Sequence, residues 1–521
     1  MSTAAPPPNP QTSDAPAKGR RDVLLTFSGL LLAMLLASLD QTIVSTALPT
    51  IVGDLGGIDQ LSWVVTAYLL SATVTIPLWG RMSDLYGRKR LFQAAIVVFL
   101  AGSALSGAAQ SIGELIAFRA LQGLGAGGLM TLAMAIVADI ISPRERGRYQ
   151  GYIQMVFVVA SVAGPLLGGL FADHLSWRWV FYVNIPIGVV ALGVVSTTLA
   201  RTTTDRRPRI DWLGAALLAG AITSALLVTT WGGREYAWDS VEIVGLAAAA
   251  VAMLGAFVVQ ERRAPEPILP LRLFRDPVFD VVSAVLFLTT CAFFAAIVFT
   301  PLYLQVVTGA SATDSGLLLL PMLLAGTAST AISGRLISRT GRYKRFPVAG
   351  LAIMAAGLFL LSRMDTTTPR ATTALYMVVF GLGFGLVSQV LTVAIQNAVD
   401  RRDIGIATGS ANLFRALGGS VGVALFGAIF ASRLSGALEK LPPESLKYLS
   451  GGVHLSPEQA KRLPPEVHGQ FLDAFSHSLH GVFLFGVLLA VIPFGLSWLL
   501  KEAPLRTTLH SADEVAPEPV V

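Results

Sequence analysis

Two ionisable residues stand inside apolar runs. Asp40 follows a mostly apolar stretch that begins at Val23, and Arg119 lies in a run from about 113 to 138. A charge at bilayer depth is costly and faces a cavity or a partner. A carboxyl placed there can do proton chemistry. Apolar surroundings favour the neutral acid, and a neighbouring guanidinium favours the carboxylate. An aspartate that meets the two sides of a membrane in turn can therefore bind a proton in one state and release it in the other. At 1.5 Å rise per residue, Asp40 and Arg119 fall roughly 10–15 Å below the same ends of their helices. They are expected to pair or to share a cavity; the bland alternative is a structural salt bridge. A third charge, Arg415, stands near the middle of the run 405–432. Asn412 is three residues before it and so on the same helix face. The pair either satisfies carbonyls and carboxylates or lines a cavity. Gln389, Gln396 and Asn397 are weaker polar candidates, expected in helix packing.

These residues need membrane helices to hold them. The chain is 53% hydrophobic and 13% charged, against roughly 25% charged for a soluble domain, and its mean hydropathy is +0.65. A bilayer-crossing helix takes about 20 mostly apolar residues. Runs that qualify lie near 23–48, 61–79, 91–110, 113–138, 150–171, 180–200, 212–231, 241–260, 280–306, 314–334, 346–363, 373–398, 405–432 and 479–500, fourteen in all. With the N-terminus placed inside, most Lys and Arg fall in inner segments, so both termini are predicted cytoplasmic.

A repeat organises the runs. Residues 80–90 read Gly-Arg-Met-Ser-Asp-Leu-Tyr-Gly-Arg-Lys-Arg, and residues 334–345 read Gly-Arg-Leu-Ile-Ser-Arg-Thr-Gly-Arg-Tyr-Lys-Arg. Each is a basic loop between apolar runs, and the copies begin 254 residues apart. Internal duplication around a cavity is how many secondary transporters are built. The first loop joins helices 2 and 3 and the second joins helices 10 and 11. The predicted fold is therefore an all-α polytopic membrane protein of two six-helix bundles with two helices inserted between them. The organisation is a disordered tail 1–22, a bundle 23–200, an inserted pair with linkers 201–279, a second bundle 280–500 that contains an outer loop 433–478, and a tail 501–521.

Gly80, Arg81, Asp84, Gly87 and Arg88, with Asp139 at the inner end of helix 4, are expected to form a cytoplasmic latch in which the carboxylates pair with Arg81 or Arg88. Gly164, Pro165, Gly168 and Gly169 fall within helix 5. Proline bends a helix and small residues admit a close neighbour, so this segment is expected to act as a hinge between rocking halves. No Gly-Lys-Ser/Thr occurs, which disfavours ATP as the energy source. Cys291 is the only cysteine, so no intramolecular disulfide forms and Cys–His metal sites are disfavoured. Four of the six histidines lie in 433–480, and no helix carries a histidine cluster suited to an embedded enzyme. The net charge of +6 is spread one cluster per loop, as orientation signals rather than a nucleic-acid surface. No catalytic residue, metal or cofactor is expected, and no cleaved signal peptide is read at the N-terminus.

The loop at 80–90, Leu39-Asp40-Gln41-Thr42-Ile43-Val44-Ser45-Thr46-Ala47-Leu48-Pro49, Arg119-Ala-Leu-Gln122-Gly123-Leu-Gly125, Gly164-Pro165 through Gly169, and Trp177-Arg-Trp-Val-Phe-Tyr-Val-Asn184-Ile-Pro186-Ile-Gly188 together resemble the major facilitator superfamily. Within it they resemble the fourteen-helix drug:proton antiporters of the EmrB/QacA type. The resemblance covers roughly residues 23–500. It implies proton-driven efflux, with Arg119 concerned in proton transfer. The chain departs from the pattern at Ser45, at Ala160 and at Ser338, where an Asp is expected. The last implies a latch stronger around Asp84. The run 405–432 lacks the acidic residues that help some relatives bind cations, which favours neutral, monocationic or anionic amphiphiles.

The expected function is a proton-coupled antiporter that exports amphipathic small molecules. The alternatives are a same-fold exporter of a lipid, siderophore or self-made antibiotic, a non-transporting sensor, or a membrane enzyme. Trp63, Tyr68, Gln122, Phe287, Phe294, Phe384, Asn412 and Arg415 are the candidates to line its cavity. The expected partners are small amphiphiles, protons and the bilayer of the cell membrane, with the chain working as a monomer.

Overall fold

The computed structural model describes residues 20–56, 60–199, 210–233, 235–310, 312–448, 463–502 and 505. The two tails therefore lie almost wholly outside the described residues, as does the linker 201–209. Fourteen described helices are long and apolar enough to cross a membrane, as the fourteen runs predict: α1 Arg21–Leu55, α2 Ser62–Tyr86, α3 Arg88–Ala108, α4 Ile112–Ile140, α5 Pro143–His174, α6 Trp179–Thr198, α7 Trp212–Trp231, α8 Val241–Glu261, α9 Pro277–Val306, α10 Asp314–Thr340, α11 Arg345–Ser362, α12 Arg370–Ala398, α13 Arg401–Leu438 and α14 Pro465–Trp498. A chain in hydrocarbon must satisfy its backbone internally, and these apolar runs do so as helices. The ends differ from the hydropathic limits because polar residues continue a helix beyond the lipid. α14 begins fourteen residues earlier than the run 479–500, and α13 extends to Leu438. The expected outer loop 433–478 is thus helical at both ends; residues 449–462 lie outside the described residues.

The duplication is visible in the packing. In the first half α1 touches α4, α5 and α6, α2 packs on α4, and α3 packs on α4 and α6. Advancing every label by eight gives contacts of the second half: α9 with α12, α13 and α14, α10 with α12, and α11 with α12 and α14. The inserted α7 and α8 pack on each other, and α7 also touches α2 and α13. α8 is the most exposed of the fourteen, with 11% of its apolar window buried.

The two halves meet chiefly through α2 with α13 and α5 with α10. Both contacts involve the ends that carry the repeated loops, here termed the basic face. Glycines permit them. A Cβ added at Gly80 would strike the carbonyl of Gly405, and one added at Gly147 or Gly334 would strike the backbone of the other. The C-terminal end of α14 lies at the same face, where Lys344 donates to the Trp498 carbonyl at 2.8 Å.

Candidate functional site

α4 threads the first half, and small residues let it. Gly123 and Gly127 pass the backbone of α2, while Gly102 of α3 abuts Gln122. This places Arg119 against α1, and its guanidinium donates to Asp40 Oδ2 at 2.6 Å. The two charges pair as expected, and both are fully buried. The second carboxylate oxygen is held as closely. Gln122 Nε2 and Asn184 Nδ2 each donate to Oδ1 at 2.8 Å. Arg119 Nη1 also donates to Gln122 Oε1 at 2.8 Å, and its plane lies over the Tyr68 ring, 4.0 Å from the centroid. Asn184 donates to Ser103 Oγ at 3.0 Å, and Ser103 donates to the Phe181 carbonyl at 2.8 Å. One aspartate therefore gathers α1, α4 and α6. All three groups that reach it are donors, the set an ionised carboxylate accepts from.

Two cavity candidates are placed differently by the structure. Gln122 and Tyr68 are buried in the Asp40 cluster rather than lining open space. Asn184 belongs to that cluster although it was not singled out as a site residue. The signal was available: a polar residue opens the apolar run of α6 immediately after an aromatic segment. Its Oδ1 is buried and finds no donor among the described residues.

The remaining cavity candidates fall into two places. Trp63 stacks edge-on with Trp231 of the inserted α7, with centroids 5.6 Å apart. Phe384 stacks on Phe293 at 4.1 Å, and Phe293 lies against Phe294 at 6.0 Å. Phe294 rests on Gly419 and the Phe287 backbone on Gly418. One turn back on α13, Arg415 donates to Asn412 Oδ1 and Thr392 Oγ1 at 3.0 Å and to the Ser388 carbonyl at 3.2 Å. Asn412 crosses the seam between halves, reaching Thr131 Oγ1 of α4 at 3.5 Å.

At the basic face carboxylate–arginine pairs form, with one change from the partners expected. Arg88 takes both carboxylates, Asp84 at 2.7 Å and Asp139 at 2.5 Å. Arg81 takes neither, and its buried Nε has no acceptor among the described residues. The reason is geometric: Gly87 turns the chain at φ 91° and begins α3 with Arg88, beside Asp84 one helical turn back. Asp84 then reaches into the other half, accepting from the amides of Gly405 at 3.0 Å and Ile406 at 2.8 Å. These amides lie in the first turn of the α-helical part of α13, which begins at Ile404 after a 3-10 turn, and a carboxylate there satisfies orphan donors and complements the helix dipole.

The second copy closes with opposite polarity. At Ser338 there is no carboxylate to offer. Instead Arg144, at the start of α5, donates to the carbonyls of Ser338 and Arg339 at 2.9 and 3.0 Å. A cation thus meets the C-terminal end of α10, which is the favourable sign there. The sequence reading of a latch stronger around Asp84 missed Arg144, whose place in the basic run 144–148 was its only mark.

Gly164, Gly168 and Gly169 do not lie between the halves. Gly164 and Gly168 press α5 onto α1 at Thr42, Ile43 and Thr46, and Gly169 faces open space. Thr42 adds a hydrogen bond to the Ala160 carbonyl at 2.9 Å. This is a joint within the first half; α5 reaches the second half near its basic-face end, at Gly147 and Gly151.

Comparison with known proteins agrees with the architecture. Residues 30–423 match the model of the Major Facilitator Superfamily. An uncharacterized MFS-type transporter of Mycobacterium tuberculosis is 43% identical over 504 residues, covering 95% of this chain and 72% of that protein. The multidrug transporter protein MdtP of Bacillus subtilis is 34% identical, covering 95% of this chain and 96% of its own. Among solved structures, the human organic anion transporter MFSD10 superposes with a TM-score of 0.61 at 16% identity, covering 92% of this chain and 99% of its own. At that identity the likeness is one of fold alone.

Proposed function

The chain belongs to the Major Facilitator Superfamily, and from that premise we propose that it is a proton-coupled antiporter exporting amphipathic small molecules from the cell. A multi-pass membrane transporter of the efflux type is what its relatives support. The observation that carries the coupling is the Asp40 cluster: a fully buried carboxylate that accepts from three donors.

Protonation changes that cluster. A neutral acid carries an O–H that needs an acceptor, and it holds the three donors more weakly than the carboxylate does. The junction of α1, α4 and α6 loosens with it, and the orphaned Asn184 oxygen offers an acceptor for the new O–H. Losing the Asp40 charge also leaves Arg119 buried without an anion, which is costly. Proton binding and helix position are thereby linked, as alternating access requires.

The basic face is the cytoplasmic one in this reading, on the positive-inside rule, and both termini lie there. The arrangement described is shut at that face. It corresponds to the state in which cargo has left outward and a proton enters from the far side. The return of the proton inward restores the carboxylate and reopens the cavity to cargo. The gradient alone drives the cycle, without a cofactor, and one chain is the working unit.

The test uses everted vesicles, a pH-sensitive dye and a panel of amphiphiles. A cargo is expected to dissipate an imposed proton gradient. If no compound does so, the coupling claim falls.

A further inference from the structure

Arg415, the arginine at membrane depth in the second half, meets no carboxylate among the described residues. Arg415 lies eleven residues beyond Ile404, about 16 Å along the helix, near the middle of a hydrocarbon core about 30 Å thick. Its acceptors are a neutral amide, a hydroxyl and a carbonyl. Its Nε–H is shut off from solvent and has no acceptor among the described residues. Asp403 is the only buried carboxylate described in the second half, and it is held at the basic face by Arg272 and Arg402.

A guanidinium at this depth without an anion costs free energy that an incoming anion would recover. Its surroundings suit the rest of such a ligand. Gly418 and Gly419 lie three and four residues on, hence on the same face, under Phe287 and Phe294. The aromatic stack of Phe293 and Phe384 adjoins them. These aromatics and Arg415 itself are partly exposed, not sealed in the core. Arg415's partner Asn412 also touches Met134 and Thr131 of the other half. Parting α13 from α4 at the basic face would therefore release Asn412 and free a second donor of Arg415.

We propose that Arg415 is an anion subsite, and that the cargo class includes amphiphiles carrying a carboxylate or sulfonate. The acidic group pairs with the guanidinium, which matches its planar geometry, and the apolar body lies against Phe293, Phe294 and Phe384. This rests on the exporter reading and narrows its substrate.

The matched probes are dansyl-leucine, with a free carboxylate, and dansyl-leucinamide, its neutral isostere. Binding is measured by fluorescence on the full chain in phosphatidylcholine nanodiscs, with no proton gradient, so the result stands apart from the coupling test. The expected result is tighter binding of the carboxylate by about tenfold or more. Arg415→Gln should erase that preference, with a melting temperature near that of the native chain showing that the variant is folded; Arg415→Lys should retain part of it. Equal binding of the two probes by the native chain overturns the proposal, as does a preference that survives in Arg415→Gln. Nanodiscs containing phosphatidylglycerol form the last arm. If that lipid abolishes the preference, the anion held is a headgroup and the cargo assignment falls. If the preference persists, the site reads the free amphiphile.

Discussion

The two halves answer the same problem with different groups. Each carries an arginine at membrane depth and a basic loop at one face. In the first half both have carboxylates: Asp40 for Arg119, and Asp84 with Asp139 for Arg88. In the second half neither does among the described residues. Arg415 leans on Asn412, Thr392 and a carbonyl, and the loop at Ser338 is fastened by Arg144 reaching over from the first half. The first half therefore supplies the titratable group and the side chains of both latches, while the second supplies backbone. A duplicated scaffold has kept its packing and divided its chemistry.

The largest expected effect breaks the first-half pair. Arg119→Gln leaves Asp40 as a buried charge without its partner, which costs about 3–5 kcal/mol. The variant should show a markedly lower melting temperature in detergent. Adding Asp40→Asn to it should restore much of the stability, because no charge is then left unpaired. A double mutant as unstable as Arg119→Gln would mean that the pair is not what holds these helices.

Next come the glycines where the halves touch. Gly147→Leu or Gly334→Leu puts a side chain where backbone already stands. Overpacking of this kind costs about 1–3 kcal/mol, charged here to the closed basic face. Spin labels at the basic-face ends of α5 and α10 should move apart. An unchanged distance distribution would contradict the seam as described.

The latch is a smaller lever. Asp84→Asn removes the carboxylate that bridges Arg88 to the Gly405 and Ile406 amides of α13. A cap in a partly buried site contributes about 1–2 kcal/mol, so the labelled α2 and α13 ends should populate an open basic face more often. The smallest change tests the asymmetry directly. Ser338→Asp gives the second loop the carboxylate it lacks, next to Arg144. An ion pair at such a partly exposed site contributes about 0–1 kcal/mol. It should favour closure slightly, and any shift toward opening would count against the polarity assigned to this contact.

Much of this was legible in the sequence. Fourteen apolar runs gave fourteen spans because lipid leaves few alternatives to a helix. The 254-residue spacing of the loops exposed the inserted pair. Asp40 and Arg119 stood out because a charge in an apolar run needs a reason; matching depths left them to pair or to share a cavity, and they pair. What stayed hidden was direction around each helix. Gln122 and Tyr68 read as cavity lining, yet both turn toward Asp40. Arg81 and Arg88 were equivalent on paper until the turn at Gly87 set Arg88 beside Asp84. Arg144 was one basic residue among several, and only the approach of α5 to α10 gave it a partner. Gly164 and Gly168 looked like part of an inter-half hinge, but they face α1.

The central claim is that Asp40 links proton binding to cargo movement, and its replacement tests this most directly. Everted vesicles bearing the native chain or Asp40→Asn would be energised, loaded with a pH-sensitive dye and challenged with a transported amphiphile. Coupling between two sites typically amounts to about 5–150-fold in affinity, and the variant should lose all of it: cargo still binds, but the proton gradient no longer moves it, and cargo no longer dissipates the gradient. Proton-driven transport by Asp40→Asn at the native rate would contradict the account.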